Sequence, residues 1–382
     1  YFFEQMHMDD AIYFFESIYE YPMQQGGGND GRPYSFGRPS SGGSKAAYPC
    51  KSYGQGRINP AYFYGVFDPN DMRRDVSITM TGSNGKGVEK LIPFVPNSKA
   101  EGGGLTLNKW DENRQANPWV AAQRKSGING PYMRMSEVYL GYAEVCAALG
   151  DVVTGKQYLK TVRERSFPQG LANTDAFIAS FGNDLVRAII EERGFEYAGE
   201  GDRRWTLIRS GYLPEDIKRI KDMTKAMMDG LATKGYYEFE NGNIISAYIW
   251  TKLVDAKTIY GHRLTAQCPT DKVNDPVLYP GWRGQKDNWE EMGLNYGSST
   301  PATNLAIKGL FEIVSEEEAA SLESQGYAKV NWGIDLVDYR DEYDKYLFWD
   351  YDYVSAPIYL WPFTPNVMAA GGFTNGYGFK QE

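Results

Sequence analysis

PYMRMSEVYLGYAEVCAALGD, residues 131–151, carries apolar side chains at helical spacing and ends on a Gly-Asp breaker. Met135, Val138, Tyr142, Val145, Cys146 and Leu149 fall on one stripe, which predicts a helix with that stripe turned inward, and Pro131 suits its first turn. After Gly150-Asp151, GKQYLKTVRERSF resumes a helical pattern with Tyr158, Leu159 and Val162 on the inner side. Residues 131–167 thus read as an antiparallel helix pair of tetratricopeptide type, with Gly155 where a small alanine is usual. One such pair cannot bury both of its faces, so neighbouring elements are expected, some of them upstream of Tyr1.

Working outward, a further helix is expected from Thr174 through Tyr197, capped by Asn173 or Thr174, and another behind Pro214. Residues 10–20, DAIYFFESIYE, read as a short helix, and TPATNLAIKGLFEIV (300–314) as another. VSITMT and VEKLIPF around GSNGKG read as a β-hairpin. The fold class is mainly α, with tetratricopeptide-like helix pairs, long ordered loops and a small β-hairpin.

Composition narrows function by exclusion. The 382 residues carry 40 basic and 49 acidic side chains, a net charge of −9, which disfavours nucleic acid and anionic membrane surfaces as partners. No apolar run approaches the roughly 20 residues of a membrane span. Cys50, Cys146 and Cys268 lie far apart and form no ligand pair, and His7 and His262 have no nucleophile or ligand at motif spacing. GSNGKG fails the phosphate-loop pattern, because Met80 and Gly87 stand where Gly and Ser or Thr are needed. FDPNDMRRD fails the EF-hand pattern at Met72 and Arg73. No cofactor is expected; a structural calcium ion of another loop type is left open. The start, YFFEQMHMDD, has no signal-peptide pattern and reads as the later part of a longer protein.

Two regions remain as candidate sites. In EERGFEYAGEGDRRWTLIR (191–209), Glu192, Glu196 and Glu200 recur at every fourth position, with Arg193, Arg203, Arg204, Trp205 and Arg209 close by. Arg203 and Arg204 could clamp an anion, or two of the glutamates could act as acid and base of a hydrolase. The alternative favoured here is a partly buried ion-pair network that pins the helix end to the GEGD loop and to Trp205. The second region is the loop from Gly26 to Gly56, whose length and recurring rings mark it as functional. Tyr34, Phe36, Tyr48 and Tyr53 offer stacking faces, with Asn29, Asp30, Arg32 and Arg38 as polar partners; packing onto the helical core is the competing role for each ring. Trp282 and Trp289 form a further aromatic candidate.

The motifs also occur in a telling order. Arg134, Glu137, Leu140, Ala143 and Glu144 are followed by Val162, Arg163 and Arg165. Glu192, Arg193, Glu196, Glu200, Gly201, Arg203, Leu207 and Arg209 come next. FDPNDMRRD precedes the helix pair and APIYLWPFTPNVMAAGGFTNGYGF closes the chain. In this order they resemble the SusD/RagB family of outer-membrane nutrient-binding lipoproteins over nearly all 382 residues. The sequence departs at Asn375-Gly376-Tyr377, where the family has Pro-Gly-Tyr, and at Thr206, where it often has Asp. The resemblance implies a single SusD-like domain over 1–382 lacking its N-terminal part, with the Glu/Arg/Trp segment as a structural signature. It implies no catalysis, but capture of glycans for a SusC-type TonB-dependent transporter, at the outer surface of the outer membrane. The lipid anchor it implies lies outside this chain. Capture of peptides by the same architecture is the alternative, and a two-carboxylate glycoside hydrolase a more distant one.

Overall fold

The computed structural model describes residues 16–23, 57–83, 89–92, 94, 104–110, 129–168, 170–255, 303–341, 359, 363–372 and 374. Within them helices dominate and the strands are short, so the fold is mainly α with small sheets.

The helix pair is present as α2 (Met135–Ala148) and α3 (Val152–Glu164), preceded by a five-residue helix, α1 (Arg73–Ser77). Asp151 caps α3 by accepting from the Thr154 amide at 3.1 Å. The buried stripe of α2 is not the one its largest apolar residues mark. Ser136, Leu140, Ala143 and Cys146 face the interior, whereas Val138, Tyr142, Val145 and Leu149 are exposed. Close approach accounts for part of the choice: a Cβ on Gly155 of α3 would stand 3.0 Å from the Ala143 carbonyl oxygen, so the helices meet there through small residues. Leu159 and Val162 of α3 are buried as the spacing predicts.

The single helix expected from Thr174 to Tyr197 is two. α4 (Thr174–Ala179) is capped by Asn173, and α5 (Leu185–Glu196) by Asp184. Between them Gly182 and Asn183 adopt left-handed backbone (φ 64° and 65°), which ends one helix before the next is capped. α6 (Arg203–Ser210) and α7 (Leu213–Lys234) follow, each closed by a left-handed glycine, Gly211 and Gly235. Three shorter helices come later: α8 (Glu316–Ser324), α9 (Gly333–Asp338) and α10 (Pro365–Gly371).

Two further sequence expectations give way to strands. Within the helix expected over 10–20, residues 17–20 belong to β1 (Ser17–Tyr21), which pairs antiparallel with β6 (Gly130–Arg134); residues 10–15 lie outside the described region. Pro131, expected in the first turn of a helix, sits in that strand. The helix expected over 300–314 contains β10 (Thr303–Lys308), an edge of the three-stranded sheet β10-β9-β11 with β9 at Tyr248–Asp255 and β11 at Ala328–Asn331. Short apolar runs fit either period, and here pairing decided. The expected hairpin exists in shortened form, β3 (Thr81–Ser83) against β4 (Glu89–Leu91). Residues 76–77 end α1 instead, and β2 (Ile78–Thr79) pairs with β5 (Thr106–Leu107). β7 (Tyr236–Glu238) and β8 (Ile244–Ser246) form one more ribbon.

The described residues include two large apolar cores and a small third one of Ile190, Leu207 and Leu213. Leu140, Ala143, Leu159, Val162, Ile178, Leu185 and Ile189 close the helix pair onto α4 and α5. A larger core gathers Phe63, Tyr64, Phe67, Phe94, Phe311 and Trp332 from distant parts of the chain. Its centre is a π-helical turn, Tyr62–Val66. The Asn241 amide donates to the Tyr64 and Phe67 carbonyls, 2.8 Å each, and that of Asn243 to Tyr64 at 2.7 Å, satisfying acceptors buried at that turn.

Candidate functional site

The Glu/Arg segment lies where α5 meets the end of β6, the C-terminus of α3 and α1. Glu192 and Glu196 are buried, and Glu200, in the turn that follows the end of α5 at Glu196, has a side chain only 8% exposed. Each carboxylate is met by cations from several elements. Arg73 of α1 donates to Glu192 at 2.6 Å and Glu196 at 3.0 Å, and Arg163 of α3 donates to Glu192 at 3.0 Å. Arg134, at the end of β6, bonds Glu196 and reaches Glu200 at 2.9 Å. Arg165 donates to Glu196 and Lys109 to Glu200, both at 2.6 Å. Glu16, just before β1, accepts from Arg134 and Arg165 and ties the ribbon to the helix pair.

The electrostatics follow from this crowding. Burial works to raise Glu196, but Arg134, Arg165 and Arg73 together hold it well below the usual carboxylate range. Glu200 is likewise lowered: Arg134 and Lys109 outweigh its burial. Lys109 is itself depressed, because its burial outweighs the attraction of Glu200. Near neutral pH Glu196 and Glu200 are anions enclosed by protein. A general acid needs a carboxyl that keeps its proton near neutral pH, and a general base needs access to substrate; this cluster offers neither.

The remaining residues of the segment divide. Arg193 donates to Asp202 at 2.6 Å and to the Thr206 hydroxyl at 3.2 Å, so it fastens the loop to α6. Arg203 is spent on Glu191 at 2.9 Å and Asp216 at 3.0 Å, and on the Ile190 carbonyl at 3.1 Å. Arg209 pairs with Glu144 near the surface. Arg204 is half-buried. Trp205 is not pinned inside: its side chain is exposed, whereas the next two residues, Thr206 and Leu207, are buried. Glu16, Lys109 and Glu191 join this network without a marker in the sequence, since their partners lie far along the chain or on another helix face.

The aromatic-loop candidates Asn29, Asp30, Arg32, Tyr34, Phe36, Arg38, Tyr48 and Tyr53 lie outside the described residues, as do Trp282 and Trp289. Among the described residues two surface features stand out. One is an open cavity of about 690 Å³ between the end of α3 and the start of α4, lined by Lys156, Lys160, Arg165, Phe167, Asn173 and Asp175 among others. The other is the β1–β6 ribbon, whose tyrosines are exposed. No group of three or more metal-ligating side chains is found among the described residues, nor is a helix long and apolar enough to cross a membrane.

A helix-pair scaffold locked by buried arginine–glutamate pairs defines a class of framework that positions surfaces. The SusD family model matches residues 15–363, and the chain belongs to that family. A curated relative, SusD-like protein P25 of Formosa agariphila, is 28% identical over 160 residues, 42% of this chain and 26% of that protein. The chain therefore matches about a quarter of that relative's length. Solved structures it is similar to include a SusD homolog from Bacteroides thetaiotaomicron, at 24% identity and TM-score 0.31 over 41% of this chain and 34% of that one. Another is surface glycan-binding protein A from the same organism in complex with laminarihexaose, at 18% identity and TM-score 0.39, over 56% of this chain and 46% of that one.

Proposed function

We propose that this protein is a non-enzymatic, surface-exposed subunit that captures glycans and passes them to a SusC-type TonB-dependent transporter in the outer membrane. Family membership across residues 15–363 carries this reading. The ion-pair network supports it from the chemical side: the acidic segment that might have served a hydrolase is consumed in holding β6, α1, α3 and α5 together. Capture needs only a shaped, ring-bearing surface on a rigid frame, and no cofactor. The rings and polar groups of the loop over 26–56 are proposed to contribute to it.

Affinity electrophoresis through gels containing a panel of polysaccharides tests the reading. Retardation by at least one glycan, without release of reducing sugar, is the expected outcome. Binding of oligopeptides with no retardation by any polysaccharide would transfer the function to peptide capture. Sugar release abolished by changing one acidic residue would make the protein a hydrolase.

A further inference from the structure

The three most exposed aromatic side chains among the described residues lie together on one ribbon. Tyr19 and Tyr21 of β1 are 57% and 65% exposed, and Tyr132 of β6 is 71% exposed. The register accounts for this. Tyr19 stands opposite Met133 and Glu20 opposite Pro131, so Tyr132 is an extra residue on its strand, and a second slip beside Tyr19 makes Ile18 extra on the other. Bulges of this kind re-aim side chains, and here Tyr132 meets Tyr19 edge to face at 5.7 Å between ring centres.

The ribbon under these rings is firmly held. Pro131 and Arg134 point to the interior, Arg134 into the ion-pair network, and the Met135 amide donates to the Glu16 carbonyl at 2.7 Å. On the other face of β1, Asn129 donates to the Glu20 carboxylate at 2.8 Å and accepts from the Met23 amide at 2.9 Å, which ties the end of the ribbon together.

We propose that the Tyr19–Tyr21–Tyr132 surface is a stacking platform for a neutral, pyranose-based oligosaccharide. This assignment rests on the glycan-capture reading and adds a place and a ligand class to it. The apolar C–H face of a pyranose packs on an aromatic face and leaves its rim hydroxyls to solvent. Tyr19 and Tyr21 are two residues apart on a strand, about 6.6 Å along its axis, a spacing that serves adjoining sugar units. The net charge of −9 on the chain disfavours uronate- or sulfate-rich ligands, so the ligand class is neutral. The exposed stripe of α2 differs in kind: three of its four side chains, Val138, Val145 and Leu149, are aliphatic and offer no ring face.

The test runs the whole chain through native gels containing laminarin, xylan or galactomannan, and through gels containing alginate or polygalacturonate. The variants are Tyr21→Ala with Tyr132→Ala, and Tyr21→Phe with Tyr132→Phe. The wild type should be retarded by a neutral polysaccharide, the double alanine variant should bind about tenfold more weakly, and the double phenylalanine variant should keep most of the affinity. Because the rings are exposed, the thermal midpoint should be unchanged in both variants; if the alanine pair fails to fold, Tyr21→Ala alone supplies the reading by the same loss of retardation. Full retardation of the double alanine variant overturns the platform and leaves glycan capture standing, as does retardation confined to the acidic gels. Loss of binding in a folded phenylalanine variant overturns ring stacking. Absence of retardation of the wild type in every gel overturns the capture reading and the platform with it.

Discussion

The helix-pair side of the molecule and the aromatic side are held by opposite means. Around α5 the chain buries Glu192, Glu196 and Glu200 against arginines from α1, α3 and β6, so the elements are fastened by charge at short range. Around the π-helical turn, Phe63, Tyr64, Phe94, Phe311 and Trp332 pack ring against ring, with Phe94 and Trp332 at 4.2 Å between ring centres and Phe63 stacked on Phe311 at 5.5 Å. The first arrangement specifies which helix end meets which strand, because a buried carboxylate without its cation is very costly. The second supplies most of the apolar burial, and its geometry is set by volume.

The sharpest way to break the comparison is to unbalance the charged side. Glu196→Ala leaves Arg73, Arg134 and Arg165 facing one another in a buried site. It should lower unfolding free energy by about 3–5 kcal/mol in urea titrations. On the aromatic side, Trp332→Ala opens a cavity where the indole is fully buried and should cost about 3–5 kcal/mol by a different route. The two routes separate with pH. Glu196 and Glu200 have folded values below their ordinary value of 4.5, so the stability they contribute is complete above about that pH and is lost as pH falls further, through the folded values. Melting temperatures of the wild type and of Trp332→Ala should therefore fall steeply below about pH 4.5, and those of Glu196→Ala should fall less; parallel acid limbs in all three would refute the assignment.

A smaller effect probes a polar link within the rings. The Trp332 indole N–H donates to the Tyr64 hydroxyl at 2.8 Å. Tyr64→Phe leaves that donor buried and unpaired and should cost about 1–3 kcal/mol, measurable as a shift in the urea midpoint with an unchanged slope. Smallest of all, Leu149→Lys changes a side chain that is 82% exposed on the outer stripe of α2. The urea midpoint should stay where it is; a clear loss would mean that this stripe is packed after all.

The outer stripe also shows how far the sequence could be read. The α2–α3 pair, its Gly-Asp break and the inward Leu159 and Val162 follow from local pattern alone. The inward face of α2 did not, because the largest apolar residues mark Val138, Tyr142 and Val145, and only the close approach of Gly155 reveals that the seam requires a small residue at Ala143. Trp205 misled in the same manner, since a bulky ring within a charged segment suggests an anchor, yet it lies on the solvent side of α6. β1 and β10 were hidden because SIYEY and TNLAIK are short runs whose partners, β6 and β9, lie about 110 and 55 residues away.

By itself the sequence determined the helix-pair unit, the ordered motifs of the SusD family and the presence of glutamates and arginines in register with a helix, because these depend on local spacing. Which cation answers which carboxylate was decided only by the tertiary structure, as was the bulged ribbon that turns Tyr19, Tyr21 and Tyr132 outward. Ion pairing and strand register join residues far apart in the chain, and no local pattern encodes where such partners meet.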